Sequence, residues 1–281
     1  MTHSPETPGT PGTPTPPVPP RYLLDNAQPE AGDRFDALGA LFDSTTFRHI
    51  AELGIAPGWR CWEVGAGGTS VVKWLAGRVG ARGRVVATDI DTSWTAAAPM
   101  PAQVEVLRHD VGRDAPPGGG FDLVHARLVL VHVADRDRAL RAMVGALRPG
   151  GWLLVEDADP AAQPLICLDE YGPEQALANK LRRGFRTLLA ERGADLAYGR
   201  KLPRLLREAG LTDVAADAYF PVTSPVCDAL EAATVRQVRA RLVAAGLATD
   251  EEVDRHLASV TAGRLDLTTS PLISAWGRKT A

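Results

Sequence analysis

Between residues 60 and 156 the chain repeats one theme: a short, nearly continuous apolar run, a turn, then a helical pattern. Strand-like runs stand at 60–64, 84–88, 104–108, 121–126 and 152–156, and helical patterns such as 71–79 and 135–147 separate several of them. A strand that is apolar on both sides has to be covered on both sides, and parallel neighbours need a crossover long enough to hold a helix. The expectation is an α/β fold, a doubly wound and mostly parallel sheet between helical layers. The link at 91–101 carries Pro99 and Pro101, so a helix there is short.

The flanks read differently. Residues 4–20 are almost entirely Pro, Thr and Gly and cannot bury enough apolar area to offset their ordering entropy, so an extended or disordered tail is expected there. Two helices should follow, one over 31–41 and one that starts after Asp43 and Ser44 as N-caps and ends at Gly54. Beyond Asp159 the rhythm changes to helical patterns at 173–189, 201–209, 229–245 and 250–262, with strands expected at 214–222 and 272–276. Leu177, Leu181, Phe185 and Leu188 form an apolar stripe on the first of these, which has to bury against something: a cap over an acceptor pocket or a dimer interface. The expected organisation is a tail (1–20), an N-terminal helical cap (21–57), a core (58–160), a helical lid (161–199), a core continuation (200–222), a helical insertion (223–263) and a closing strand segment (264–281).

Chemistry enters at Glu63-Val64-Gly65-Ala66-Gly67-Gly68, directly after the first strand and before a helix. Glycines at that junction let the chain turn sharply and let a ligand approach the backbone. Asp89 ends the second strand, where an acid can accept hydrogen bonds from ribose hydroxyls. The run departs from the dinucleotide fingerprint GxGxxG, because Ser70 stands in the third glycine position and Glu63 stands two residues before the first. A carboxylate there repels a pyrophosphate and favours a cationic ligand. S-adenosylmethionine (SAM) carries a sulfonium and an ammonium and no phosphate, so the charge argument favours SAM over NAD.

With Glu63–Gly68, Val85–Asp91, His109-Asp110-Val111, the run FDLVHARLVLVHV at 121–133 and LRPGGWLLVE at 147–156, the sequence resembles the class I SAM-dependent methyltransferases, in particular the bacterial small-molecule type related to ubiquinone biosynthesis and natural-product tailoring. The resemblance is close over about 58–160 and looser beyond. It implies a Rossmann-like, seven-stranded sheet with the last strand antiparallel and helical cap insertions. It also implies that Gly65, Ala66 and Gly67 approach the amino-acid part of SAM, with Glu63 orienting that part. Asp89 would hold the ribose, Ile90 would lie against the adenine, and Asp110 would bond the adenine amino group with Val111 beside it. Ala126 and Arg127 would line the sulfonium side, and Tyr22 would reach the cofactor or acceptor from a segment folded over the pocket.

Methyl transfer is an in-line displacement that depends mostly on positioning, and a base is needed only for some acceptors. His132 is the candidate base and His125 the runner-up; His49 and His256, in polar helical patterns, are expected at the surface. Asp157 and Asp159 follow the fifth strand and are expected to be solvated, and Gly150-Gly151 is expected as a turn. The acceptor and the choice of O-, C- or N-methylation stay open. So do two other classes: a SAM-fold protein that no longer transfers methyl, acting as a cyclase or partner, and a nicotinamide oxidoreductase. Composition narrows the partners. A net charge of −3 gives no field for nucleic acid or an anionic membrane, and no apolar run reaches the roughly 20 residues of a membrane helix. The N-terminus lacks a basic patch followed by an apolar run, and Cys61, Cys167 and Cys227 have neither disulfide nor metal-ligand spacing. The expectation is a cytoplasmic protein, without a metal, working on a small molecule.

Overall fold

A computed structural model describes Leu23, Leu24, Asn26, Gln28 and residues 30–280, so the Pro/Thr-rich tail and Tyr22 lie outside the described residues. In chain order the elements are α1 (Glu30–Glu52), β1 (Arg60–Val64), α2 (Ser70–Val79), β2 (Arg84–Asp89), α3 (Ser93–Ala97), β3 (Val104–Arg108), β4 (Phe121–Arg127), α4 (Arg136–Ala146) and β5 (Leu147–Ala158). They continue with α5 (Pro173–Glu191), α6 (Leu202–Glu208), β6 (Leu211–Tyr219), α7 (Pro225–Ala244), α8 (Asp250–Thr261) and β7 (Leu272–Lys279). The seven strands form one sheet in the order β3-β2-β1-β4-β5-β7-β6. Strands β1 to β5 pair in parallel, while β7 runs antiparallel between β5 and β6. The strand order reverses between β1 and β4, and a crevice at the carboxyl ends of those strands is where such a sheet takes ligands.

The sheet is covered on both faces, as its apolar strands require. Trp62, Val64, Val124 and Leu153 point to one face and pack with Leu140 and Met143 of α4 and Leu202 and Leu206 of α6. Cys61, Val85, Leu123 and Leu154 point to the other and pack with Ile50 of α1 and Val72 and Leu75 of α2. A third cluster has no strand in it. Leu177, Leu181 and Leu188 of α5 meet Val235, Val238 and Leu242 of α7 and Val253 of α8, so the stripe on α5 is covered within this chain. No described helix is long and apolar enough to cross a membrane.

Several expectations are corrected. The two N-terminal helices are one, because the Asp43 carboxylate does not cap a second helix; it accepts from Arg127 Nη2 at 2.9 Å and from Ser70 Oγ at 3.2 Å. The Gly150-Gly151 pair lies inside β5, at an irregularity where the pairing with β4 slips between Phe121 and Leu123. A Cβ on Gly151 would come 2.7 Å from the Phe121 carbonyl oxygen, so the glycine belongs to strand packing. His49 and His256 are each only 1% exposed, because both face buried carboxylates. Asp157 and Asp159 are fully buried; Asp159 takes a two-pronged ion pair from Arg200 at 2.6 and 2.7 Å.

Candidate active site

A cavity of about 790 Å³ opens at the carboxyl ends of β1, β2 and β4, at the point where the strand order reverses. Its wall holds Glu63, Gly65, Ala66 and Gly67 at and beyond the end of β1, Asp89 and Ile90 at the end of β2, Asp110 and Val111 after β3, and Arg127 and His132 at and beyond the end of β4. Ala126 is not among the lining residues. Strand alternation turns it into the core with Trp62 and Val124, and Leu128 and Val129 take the wall position instead. Sequence reasoning missed Arg34, Phe35 and Leu38 of α1 and Leu128, all of which line the cavity. No local signal marks them, since the helix reaches the site only through tertiary packing.

The glycine turn is the sharp one expected, and packing gives it a second cause. Gly65 and Gly67 have φ of 65° and 53°, a region that strains any other residue. A Cβ on Gly65 would stand 2.3 Å from Val129 Cγ2, and one on Gly67 would stand 2.7 Å from Phe35 Cε1. Protein side chains fill that space, so the glycines close the floor of the cavity.

The acids are placed by backbone and by each other. Asp89 is buried, accepts from Gly67 N at 2.9 Å and Asp91 N at 3.0 Å, and lines the cavity. Burial raises its pKa, with backbone hydrogen bonds from Asp91, Gly67 and Ile90 acting against that rise. Asp110 folds onto its own turn, Oδ1 accepting from Gly112 N at 2.9 Å, and Arg113 lies 3.6 Å from Oδ2. Ile90 stays 47% exposed, an apolar surface beside these acids.

Glu63 is 2% exposed and belongs to a buried row of charge across the sheet. Its register partner on β4 is His125, whose Nδ1 lies 2.6 Å from Glu63 Oε2 and whose Nε2 lies 3.3 Å from Glu156 Oε2. Glu156 also accepts from Ser274 Oγ at 2.7 Å and from the Thr46 hydroxyl, and His49 Nδ1 lies 3.2 Å from its Oε1. Burial works to discharge His125, but Glu63 and Glu156 outweigh it and lift its pKa to about 9. Glu156 is held well below the usual carboxylate range against burial, chiefly by His125 and His49. His125 is therefore an imidazolium donating to a carboxylate on each side, and it does not line the cavity.

His132 behaves in the opposite way. It closes a short 3₁₀ turn over Leu130–His132, and burial, helped by the charges of Arg34 and Arg136, pushes its pKa down to about 4. The turn is tied from below by Asp157, whose Oδ2 accepts from Val131 N at 3.3 Å. Burial pushes the Asp157 carboxyl up to about 8, so it is mostly protonated at pH 7. Leu128, just before the turn, has φ of 58°, the left-handed region where a leucine is strained.

A second cavity, of about 140 Å³, adjoins the first. Arg34, Leu38, Leu128 and His132 line both. Its far wall comes from α5 and α7, with Phe185, Leu189 and Leu230 among its residues, and from Thr268–Ser270 before β7. The stripe expected on α5 is thus divided: Leu181 packs inside the helical cluster, and Phe185 faces the cavity.

Residues 62–155 match the family model for a methyltransferase domain. Among curated proteins, the chain is similar to methyltransferase str2 of Strobilurus tenacellus, 32% identical over 163 residues that cover 56% of each chain. It is also similar to the ubiquinone/menaquinone biosynthesis C-methyltransferase UbiE of Hydrogenovibrio crunogenus, 33% identical over 127 residues, 42% of this chain and 50% of the relative. The chain therefore spans about half the length of these relatives. Among solved structures, Haemonchus contortus phosphoethanolamine N-methyltransferase 2, in complex with phosphomonomethylethanolamine and S-adenosylhomocysteine, aligns over 93% of this chain and 60% of its own. That alignment has a TM-score of 0.57 at 16% identity, a likeness of fold. The segment that matches the methyltransferase-domain model, residues 62–155, lies within a Rossmann-like α/β sheet.

Proposed function

We propose that this chain is a SAM-dependent methyltransferase acting on a small-molecule acceptor, with S-adenosylhomocysteine as its product. The observation that carries the reading is the acceptor set of the larger cavity. Three carboxylates, Glu63, Asp89 and Asp110, face it from the ends of three strands, and the glycine turn stands beside an acid where a pyrophosphate needs positive charge or free amides. An ammonium, ribose hydroxyls and an adenine amino group all donate hydrogen bonds, which is what those oxygens can accept. When bound, SAM supplies an electrophilic methyl carbon on a sulfonium.

The chain's own groups hold and screen. Glu63 would hold the ammonium, itself kept in place by the His125 imidazolium. Asp89 would accept hydrogen bonds from the ribose, and Ile90 and Val111 would flank the adenine, with Asp110 at its amino group. The charge of Arg127 is engaged by Asp43 and its Nη1 donates to Thr46 Oγ1 at 3.0 Å, so it shapes the wall near the transfer point. The acceptor belongs in the second cavity. His132, on the wall between the two, is the candidate base for a hydroxyl acceptor; it is neutral from about pH 5 upward, and its low pKa makes it a weak base, so positioning carries most of the catalysis. We place the activity in the cytoplasm and in natural-product metabolism, a reading that rests on the sequence resemblance and composition. Calorimetric titration with SAM and then NAD tests the cofactor: SAM should bind and NAD should not. Release of S-adenosylhomocysteine across an acceptor panel tests transfer. Binding of SAM without product from any acceptor would favour a fold kept for another role.

A further inference from the structure

The second cavity is lined mostly by carbon, with Phe42, Ile166 and Leu230 typical of its walls. The exceptions are unbalanced in charge: three guanidiniums, Arg34, Arg182 and Arg186, stand against one carboxylate, Glu231. Glu231 is engaged by His256, whose Nε2 lies 3.0 Å from its Oε1, and more distantly feels the charge of Arg182. Arg34 is engaged as well, donating from Nε to Gln237 Oε1 at 3.1 Å and from Nη2 to Asn26 Oδ1 at 3.2 Å. The other two lie one turn apart on α5, the spacing that brings side chains together on a helix. Among the described residues, neither forms an ion pair with a carboxylate. The Arg182 guanidinium lies 5.9 Å from the centre of the Phe185 ring, and Arg186 Nε is buried with no hydrogen-bond partner. Burial and the neighbouring Arg182 both act against the Arg186 charge. Two like charges at an apolar cavity, one with a buried donor unsatisfied, make a site that an anion completes.

We propose that the methyl acceptor is a small, largely apolar organic acid whose carboxylate seats on Arg182 and Arg186. Its apolar body then lies along Phe42, Ile166 and Leu230, and its reacting end points past His132 toward the cofactor cavity. The inference rests on the proposed methyl transfer for the word acceptor, but the anion site stands on the cavity alone.

The test compares matched probes on the full chain, with and without S-adenosylhomocysteine: phenylacetate against phenylacetamide, and 4-hydroxybenzoate against 4-hydroxybenzamide, by calorimetry or ligand-observed NMR. Each acid should bind about tenfold tighter than its amide, the margin of a charge-assisted over a neutral hydrogen bond. The Arg182→Gln/Arg186→Gln double variant should bring the acids to the level of the amides and leave the amides and S-adenosylhomocysteine unchanged. Arg186→Lys should keep part of the preference, which guards against a double variant that fails to fold. Equal binding of acid and amide, a preference that survives the double variant, or no binding of any probe at saturation overturns the proposal. Phenyl phosphate binding about tenfold tighter than both acids overturns the carboxylate in favour of a phosphate ester. If S-adenosylhomocysteine and SAM do not bind, the proposed function fails, and the acid–amide comparison still reads the anion site.

Discussion

The two cavities meet at a shared wall, yet they are built by opposite means. The larger is made by strand ends and the turns that leave them, so its residues come in short consecutive runs: 63–68, 89–90 and 109–113. The smaller is made where helices from distant parts of the chain converge, and its lining is drawn from α1, α5, α7 and the segment before β7. A sheet edge fixes backbone groups and short acids to within a hydrogen bond, which suits one invariant ligand. Converging helices present side chains at any depth and spacing, which suits a ligand that differs from enzyme to enzyme.

The sharpest way to break this comparison is to attack the charge row beneath the first cavity. His125→Ala leaves Glu63 and Glu156 buried without their shared partner and should destabilise the protein by about 3–5 kcal/mol. SAM binding should weaken with it, a coupling that denaturant unfolding and titration read separately. If stability falls and SAM affinity holds, the row supports the sheet and not the ligand. Leu181→Ala makes the matching cut in the helical cluster, at about 2–5 kcal/mol, while leaving SAM affinity as it was.

Smaller effects separate the two sites themselves. Asp89→Ala should weaken SAM binding about tenfold to a hundredfold in a folded protein, from the loss of charge-assisted hydrogen bonds worth about 1.5–3 kcal/mol. Phe185→Ala should do the reverse, lowering kcat/KM for the acceptor by about tenfold with the SAM dissociation constant unchanged. A SAM affinity that moves with Phe185 would mean the shared wall transmits and the cavities are one site.

A separate expected effect is a slope with pH. His125 has its folded pKa raised from 6.5 to about 9, so its stabilisation is complete below pH 6.5 and is lost as pH rises through 9. Asp157 binds its proton more tightly folded than unfolded between pH 3.8 and about 8, so it too makes stability fall as pH rises across that window. The thermal midpoint should therefore decline from pH 6.5 to 9, and Asp157→Asn should flatten the decline below pH 8.

How legible all this was in the sequence follows the same division. The first five strands stood out because each is an apolar run bounded by turn residues, and β1 begins and ends where the pattern placed it. Glu63, Asp89 and Asp110, which line the larger cavity, came with those runs. What stayed hidden depends on partners far along the chain. Asp43 and Ser44 carry a sound local signal for a helix start, and a bond from Arg127, 84 residues away, overrides it. His49 looked solvent-facing because its neighbours are polar, and nothing near it announces Glu156. Ala126 missed the wall by one step of strand alternation, and Arg182 and Arg186 look like any solvated helix face until α7 and the segment before β7 enclose them.

Leu128 gives the arrangement a consequence for how such a protein can change. It borders both cavities, its amide donates to the Glu156 carbonyl at 2.7 Å, and its backbone is left-handed. A change at that position disturbs both cavities at once, and only a residue that tolerates the same backbone, glycine or asparagine above all, can replace it without added strain. The outer wall on α5 and α7 has no such tie. Divergence toward new acceptors is channelled there, so lineages descended from this architecture should vary in their helices while the partition stays still.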